Sequence, residues 1–174
     1  MGQQTKYLLD ADSLIRSKRQ HYAFDFCPAF WDALLSAYGQ NRLGSIAPIR
    51  KELLRGNDAL ADWVKDKVPH AFFGSVDDPQ VQIGYKKVST WVEGHDQYSR
   101  AAKQKFFNGA DPWLVAVAMA NHFVLVTYEV SSSESRALIK LPDVAKHFNV
   151  TCIPPYSMLR QLQVVFRLDK RNLT

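Results

Sequence analysis

Lys6-Tyr7-Leu8-Leu9-Asp10-Ala11-Asp12-Ser13-Leu14-Ile15 is an apolar run that stops on an acid and passes directly into a short helix. Apolar residues in succession, rather than in alternation, mark a strand buried on both faces, as in a parallel sheet covered by helices. An Asp at the end of such a strand stands where open parallel sheets bind their ligands, outside the carboxyl ends of the strands. The helix that starts at Leu14-Ile15 ends in the basic run Arg16 to Arg19.

Outward from this stretch, strands and helices alternate. Tyr22, Phe24, Phe26, Phe30 and Trp31 form an aromatic stretch that mostly fills the core. Pro28 opens a helix over 28–38, with Gly39 as its stop. Gly44 to Ala47 reads as a very short second strand, followed by a helix that Pro48 opens, Ile49 to Arg55, and Gly56 closes. Ala59 to Lys67 is helical, with Leu60, Trp63 and Val64 on one face. Residues 68–79, with two prolines and a glycine, are expected to form a loop. Helices are predicted over Val81 to Val92 and Gln97 to Phe107. Asp111 is expected as the N-cap and Pro112 as the first residue of a buried, alanine-rich helix. It leads to a strand over Phe123 to Thr127, with Glu129 just beyond and a flexible loop over Ser131 to Ser135. A helix from Pro142 to Phe148, a strand from Val150 to Ile153 and a terminal helix from Tyr156 to Phe166 complete the chain. The alternation predicts an α/β fold, a three-layer α/β/α sandwich around a short, mainly parallel sheet. Nothing divides residues 1–174, so a single domain is expected.

Composition narrows the classes. With 47% hydrophobic and 22% charged residues the chain is of ordinary globular type, and no window is long and apolar enough to span a membrane. The N-terminus lacks the apolar stretch of a secretory signal, which predicts a cytoplasmic protein with no membrane partner. Cys27 and Cys152 lie far apart and are expected to be reduced, buried thiols. His21, His70, His95, His122 and His147 are scattered without zinc-ligand spacing. The net charge of +5 is compatible with a nucleic-acid partner without proving one. The cations cluster at Arg16, Lys18 and Arg19, at Lys86 and Lys87, and at Arg100, Lys103 and Lys105; solvated helix faces and phosphate contacts explain these clusters equally well.

The acids carry the chemistry. Asp10 ends the first strand and Asp12 follows it; Glu52 sits on the helix after the second strand; Asp111 opens the helix that feeds the strand before Glu129. Taken singly, each has a bland reading: turn chemistry, a solvated helix position, an N-cap, a loop residue. Taken as an ordered set they converge on one crevice, where like charges repel. Such clusters persist mainly to hold hard cations such as Mg²⁺, which prefer carboxylate and water oxygens.

That set resembles the PIN-domain superfamily. Its opening acidic motif is matched by Leu8-Leu9-Asp10-Ala11-Asp12-Ser13-Leu14-Ile15, and its second acid by Glu52 in Ile49-Arg50-Lys51-Glu52-Leu53. The third matches Asp111 in Ala110-Asp111-Pro112-Trp113-Leu114-Val115-Ala116, and the fourth Glu129 in Leu125-Val126-Thr127-Tyr128-Glu129. The likeness runs from about residue 6 to 160 and is strongest to a prokaryotic branch that includes toxin-like proteins. Asp12, where many members carry a neutral residue, and Pro112, after the third acid, depart from the pattern. The resemblance implies hydrolysis of RNA phosphodiester bonds with Mg²⁺ or Mn²⁺ held by Asp10, Glu52, Asp111 and Glu129. Ser13 and Thr127 would orient a ligand or water, with Asp12 in support, and Arg16, Lys18 and Arg19 would hold the RNA backbone. It also implies a toxin of a toxin–antitoxin pair, with an antitoxin protein and a second copy of the chain as candidate partners.

Two rival readings stay open. Asp10-Ala11-Asp12-Ser13 also fits the motif of haloacid-dehalogenase-like phosphatases, with Asp10 as nucleophile and Asp12 as acid and base. That family needs a later acidic pair on one loop, and Asp111 supplies one acid while Pro112-Trp113-Leu114 supplies none. The other rival is a catalytically silent module that binds RNA or a protein partner.

Overall fold

The computed structural model describes residues 4–167. Among these, β1 (Tyr7–Leu9), β2 (Leu43–Ile46), β3 (Phe73–Gly74), β4 (Val124–Val126) and β5 (Cys152–Ile153) form one sheet. The strand order is β3-β2-β1-β4-β5, and every neighbouring pair is parallel. Helices flank the sheet in a three-layer α/β/α arrangement. All of β1 is buried, as the unbroken apolar run requires of a central parallel strand.

The helices are α1 (Ala11–Arg16), α2 (Pro28–Gly39), α3 (Ala47–Leu54), α4 (Ala59–Asp66), α5 (Pro79–Glu93), α6 (Arg100–Asn108), α7 (Asp111–Asn121), α8 (Leu141–His147) and α9 (Pro155–Gln161). The basic run after α1 continues as a π-helical turn over Ser17–His21. None of these helices is long and apolar enough to cross a membrane. The aromatic stretch divides: Phe30 and Trp31 are buried, and the Trp31 indole donates to the Tyr22 carbonyl at 2.8 Å, whereas Phe26 is 79% exposed.

Several boundaries differ from those the sequence predicts. The loop expected over 68–79 contains a 3₁₀ turn (His70–Phe72) and the edge strand β3. Two residues are too few to show a strand's period, and only the buried Phe72-Phe73 pair marks the place. Gly39 and Gly56 are not the left-handed helix stops. Asn41 (φ 57°) and Asn57 (φ 45°) take that conformation, which Asn adopts more readily than most side chains. After α2 the Arg42 amide reaches back to the Ala37 carbonyl at 2.9 Å, completing the stop. The terminal helix is shorter than Tyr156 to Phe166. Gln163 turns left-handed at φ 58°, and the Val164 amide closes the helix onto Leu159 at 2.9 Å.

The most extensive packing between helices joins α5 to α7, and it fixes the helix that carries Asp111. Gly84 permits the close approach: a Cβ there would lie 3.2 Å from the Cα and carbonyl oxygen of Ala116. Alanine adds about 1 kcal/mol of helix propensity over glycine, but overpacking against a backbone costs about 1–3 kcal/mol. Gly84→Ala is therefore expected to destabilise the protein by about 1 kcal/mol and lower Tm by about 2–4 °C. A melt at or above the wild-type temperature would show that α5 and α7 can move apart freely.

Candidate active site

β1 is the strand at which the order reverses, with β2 on one side and β4 on the other. The crevice beyond its carboxyl end is the topological switch point of the sheet. Asp10 stands there, 4% exposed, with its amide donating to the Val126 carbonyl at 3.2 Å. Asp10 is the N-cap of α1: its Oδ1 accepts the Ser13 amide at 2.6 Å, and the Ser13 hydroxyl donates to the Asp10 carbonyl at 2.8 Å. The Thr127 hydroxyl also bonds to the Asp10 carboxyl, and its oxygen accepts the Glu129 amide at 2.9 Å. Ser13 and Thr127, both buried, thus orient Asp10 itself.

Asp111 enters the crevice from the start of α7. It is the first residue of that helix rather than its cap; Ala110 holds the cap position and no side chain there bonds an amide. The expected N-cap role of Asp111 is therefore corrected, and the capping acid is Asp10. The reason lies in Ala110, which already has helical backbone angles (φ −88°, ψ −13°) and so moves the helix start back by one residue.

Glu52, Asp111 and Glu129 line one cleft of about 250 Å³, closed on the far side by α6 and by residues 137–140. Asp10 does not line this cleft but is close enough for the Asp111 charge to act on it. Burial pushes the Asp10 carboxyl from 3.8 up to about 7, against the hydrogen bonds from Thr127 and Ser13. Burial likewise pushes Asp111 to about 7, and the charges of Glu129, Glu52 and Asp12 add to the rise while Lys140 opposes it. Glu52 is exposed as a residue, but partial burial of its carboxyl raises it above 4.5, with Arg55 opposing. The five acids therefore share one electrostatic site.

Two of them are already engaged. Glu129 Oε2 accepts the Leu141 amide at 3.0 Å, so Glu129 caps α8 from outside that helix, and its Oε1 lies 3.6 Å from the Lys140 ammonium. Asp12 Oδ2 is 3.6 Å from Arg16, and that oxygen is buried without a hydrogen-bond partner among the described residues. The amino ends of α1, α7 and α8 all meet these acids. Their dipoles offset part of the mutual repulsion.

Among the described residues, no group of three or more His, Cys, Asp or Glu side chains is gathered closely enough to hold a metal ion. The donors of the crevice are nonetheless all of the oxygen type that hard cations prefer, and the buried Asp12 oxygen lacks a partner among the described residues. Mg²⁺ keeps several waters and needs only one or two protein carboxylates.

The proposed basic run does not form a free patch. Lys18 pairs with Asp58, the N-cap of α4, at 2.6 Å, and this bond holds the Asp58 carboxyl below its usual range. Arg16 donates to the Tyr128 carbonyl at 3.3 Å and lies over the Tyr128 ring at 4.9 Å. Only Arg19 of the three is exposed. Cys27 and Cys152 are free but half-buried, not buried. Burial, with the nearby Asp10 and Glu129 charges, pushes the Cys152 thiol up to about 12 and makes it a poor nucleophile. Lys140 is the site residue that the sequence did not disclose. Its only signal is its place before Leu141-Pro142 at a helix start, and nothing in the sequence says that this start folds back onto Glu129.

A family model described as a domain of unknown function (DUF4411) matches residues 7–166, a span that holds every acid of the crevice. The chain belongs to the DUF4411 family. This DUF4411 chain has no match among curated proteins. It is similar in structure to a protein from Pyrobaculum aerophilum, PAE2754, at 18% identity and a TM-score of 0.48, covering 93% of this chain and 100% of that one.

Proposed function

We propose that this protein is a metal-dependent ribonuclease that hydrolyses RNA phosphodiester bonds, acting in the cytoplasm. The observation that supports it is the pair of buried carboxyls, Asp10 and Asp111, raised to about 7 at the switch point of a parallel sheet beside Glu52, Glu129 and Asp12. Asp10, Asp111, Glu52 and Glu129 are the residues that would hold Mg²⁺ or Mn²⁺. A bound ion of this kind activates a water and neutralises the charge that develops on the phosphate and leaving oxygen. Thr127 and Ser13 fix the Asp10 carboxyl through the bonds described above, so its position does not depend on a flexible rotamer. The test is cleavage of a labelled RNA by the purified chain with Mg²⁺, with Mn²⁺ and with EDTA. Activity that persists undiminished in EDTA would overturn the reading. A toxin role rests on the same activity, and its test is whether a small antitoxin gene adjoins this one and its product suppresses cleavage.

Lys140 acts on the same site as a built-in cation. It faces Glu129 and lowers the Asp111 carboxyl, so it occupies part of the electrostatic role of an ion. A half-exposed pair of this kind contributes about 0.5–1 kcal/mol. Lys140→Ala is expected to tighten Mn²⁺ binding by a few-fold, read by calorimetry on the whole protein. Weaker Mn²⁺ binding would show instead that Lys140 helps to position the acids.

A further inference from the structure

The acidic cleft does not stand alone. Two further depressions, of about 470 and 540 Å³, run between α3 and α6 and share Glu52 and Gly109 with it. Lys51 of α3, Arg55 just after it and Lys105 of α6 line them. All three side chains are exposed, and none forms an ion pair among the described residues, unlike Arg16 and Lys18. In the depression bounded by α3, Trp113 lies half-buried, stacked on Tyr85 with ring centroids 3.9 Å apart. Cations spaced along a groove, with a rigid aromatic face among them, are what a single nucleic-acid strand needs: phosphates on the cations, a base on the ring.

Resting on the nuclease reading for its purpose, but not for its test, we infer that a single nucleic-acid strand reaches the acidic cleft along the groove between α3 and α6. Lys51, Arg55 and Lys105 hold its phosphates, and Trp113 receives a base. The basic run after β1 does not carry the strand, because Lys18 and Arg16 are committed to Asp58 and to Tyr128 and Asp12. A strand laid in this groove passes over Glu52 before it meets Asp111.

The experiment measures binding of the full chain to a fluorescein-labelled single-stranded RNA, and to a DNA of the same sequence, by anisotropy in EDTA across a salt series. For single strands each phosphate contact contributes about 0.7 to the slope of log affinity against log salt. The Lys51→Ala, Arg55→Ala, Lys105→Ala triple variant is expected to bind at least tenfold more weakly and to lose about 2 from that slope. A charge-matched variant at Lys65, Lys86 and Lys87, exposed and outside the groove, should keep nearly the wild-type slope. Equal losses on RNA and DNA would mean that the groove reads phosphates alone; a larger loss on RNA would add contacts to the 2′-hydroxyl. An unchanged slope in the triple variant, an equal loss in the control, or no salt-dependent binding by the wild type would overturn the groove. Binding is read without cleavage, so a chain that binds through these residues yet never cuts RNA would refute the nuclease reading and leave the groove standing. A chain that cuts RNA while the triple variant keeps its slope would do the reverse.

Discussion

Asp10→Asn and Asp111→Asn are each expected to lower RNA cleavage by about 100-fold or more, with little loss of folded protein. Each substitution keeps the side-chain volume and removes one charge from a crevice where Glu52, Glu129 and Asp12 also act. A loss of about 3 kcal/mol in transition-state stabilisation corresponds to a factor of about 100 in rate. Metal-centred stabilisation of a phosphoryl oxygen is worth several kcal/mol. The fold should tolerate both changes. Asn caps a helix about as well as Asp, so the amide oxygen introduced at position 10 would still accept the Ser13 amide, and residue 111 caps nothing. Glu129→Gln should also leave the fold intact, because an amide oxygen can keep the bond from Leu141, but it removes a charge from the same site along with the attraction to Lys140. The measurement is single-turnover cleavage with circular dichroism as the control for folding. Full activity in both Asn variants would sink the metal-site reading. Covalent trapping of Asp10 by a phosphate analogue would replace it with the phosphatase chemistry that Asp10-Ala11-Asp12-Ser13 also fits.

The metal-free protein should lose stability as pH rises through about 7, and Mg²⁺ should restore it. Both carboxyls lie above their unfolded value of 3.8, at about 7. The fold therefore favours their protonated forms, and the stability this lends is complete below about pH 4 and gone once pH has passed about 7. The distance from 3.8 to about 7 corresponds to about 4 kcal/mol for one group as an upper limit, and the two are not additive, since Asp111 contributes to the rise of Asp10. Asp111→Asn removes the buried charge without removing a cap, so it isolates the effect. In EDTA above pH 7 the variant should melt higher than wild type, by on the order of 5–10 °C. The loss of a favourable charge at the first turn of α7 reduces that gain by only about 0.5 kcal/mol. Near pH 4 the two should converge. Mg²⁺ at neutral pH should raise the wild-type melt and leave that of the variant almost unmoved. A variant that melts below wild type in EDTA above pH 7, and still responds to Mg²⁺ in full, would show that Asp111 and the other acids do not share an ion.

What could be read in advance follows from range. Tyr7-Leu8-Leu9 and Val124-Leu125-Val126 are runs that only a doubly covered sheet can bury, and the acids beyond them inherit their address from that fact. The register that sets Leu9 beside Val126 has no local signature, yet the alternation of elements was enough to bring Asp10 and Thr127 to one edge. Short-range chemistry was harder to place. Asp111-Pro112 looks like a cap followed by a first helical residue, but the backbone angles of Ala110 moved the start back by one residue and left α7 without a side-chain cap. Side-chain partnerships between distant segments were not readable at all. Lys18 looks identical in sequence whether it faces phosphate or Asp58, and Lys140 looks like any helix-start lysine until its loop folds onto Glu129.

The strand order sets a schedule for synthesis as well as a shape. Asp10 is made well before Val126 and Thr127, yet its own amide is satisfied by the one and its carboxyl is steadied by the other. β1 can pair with β2 early, but its other edge stays open until β4 has left the ribosome, and contacts so distant along a chain form late. A nascent chain therefore carries the first acid without the walls that would make it useful. Translation stalled before residue 126 leaves a fragment with half a crevice, so the acids gather only once β4 has been made and has paired with β1.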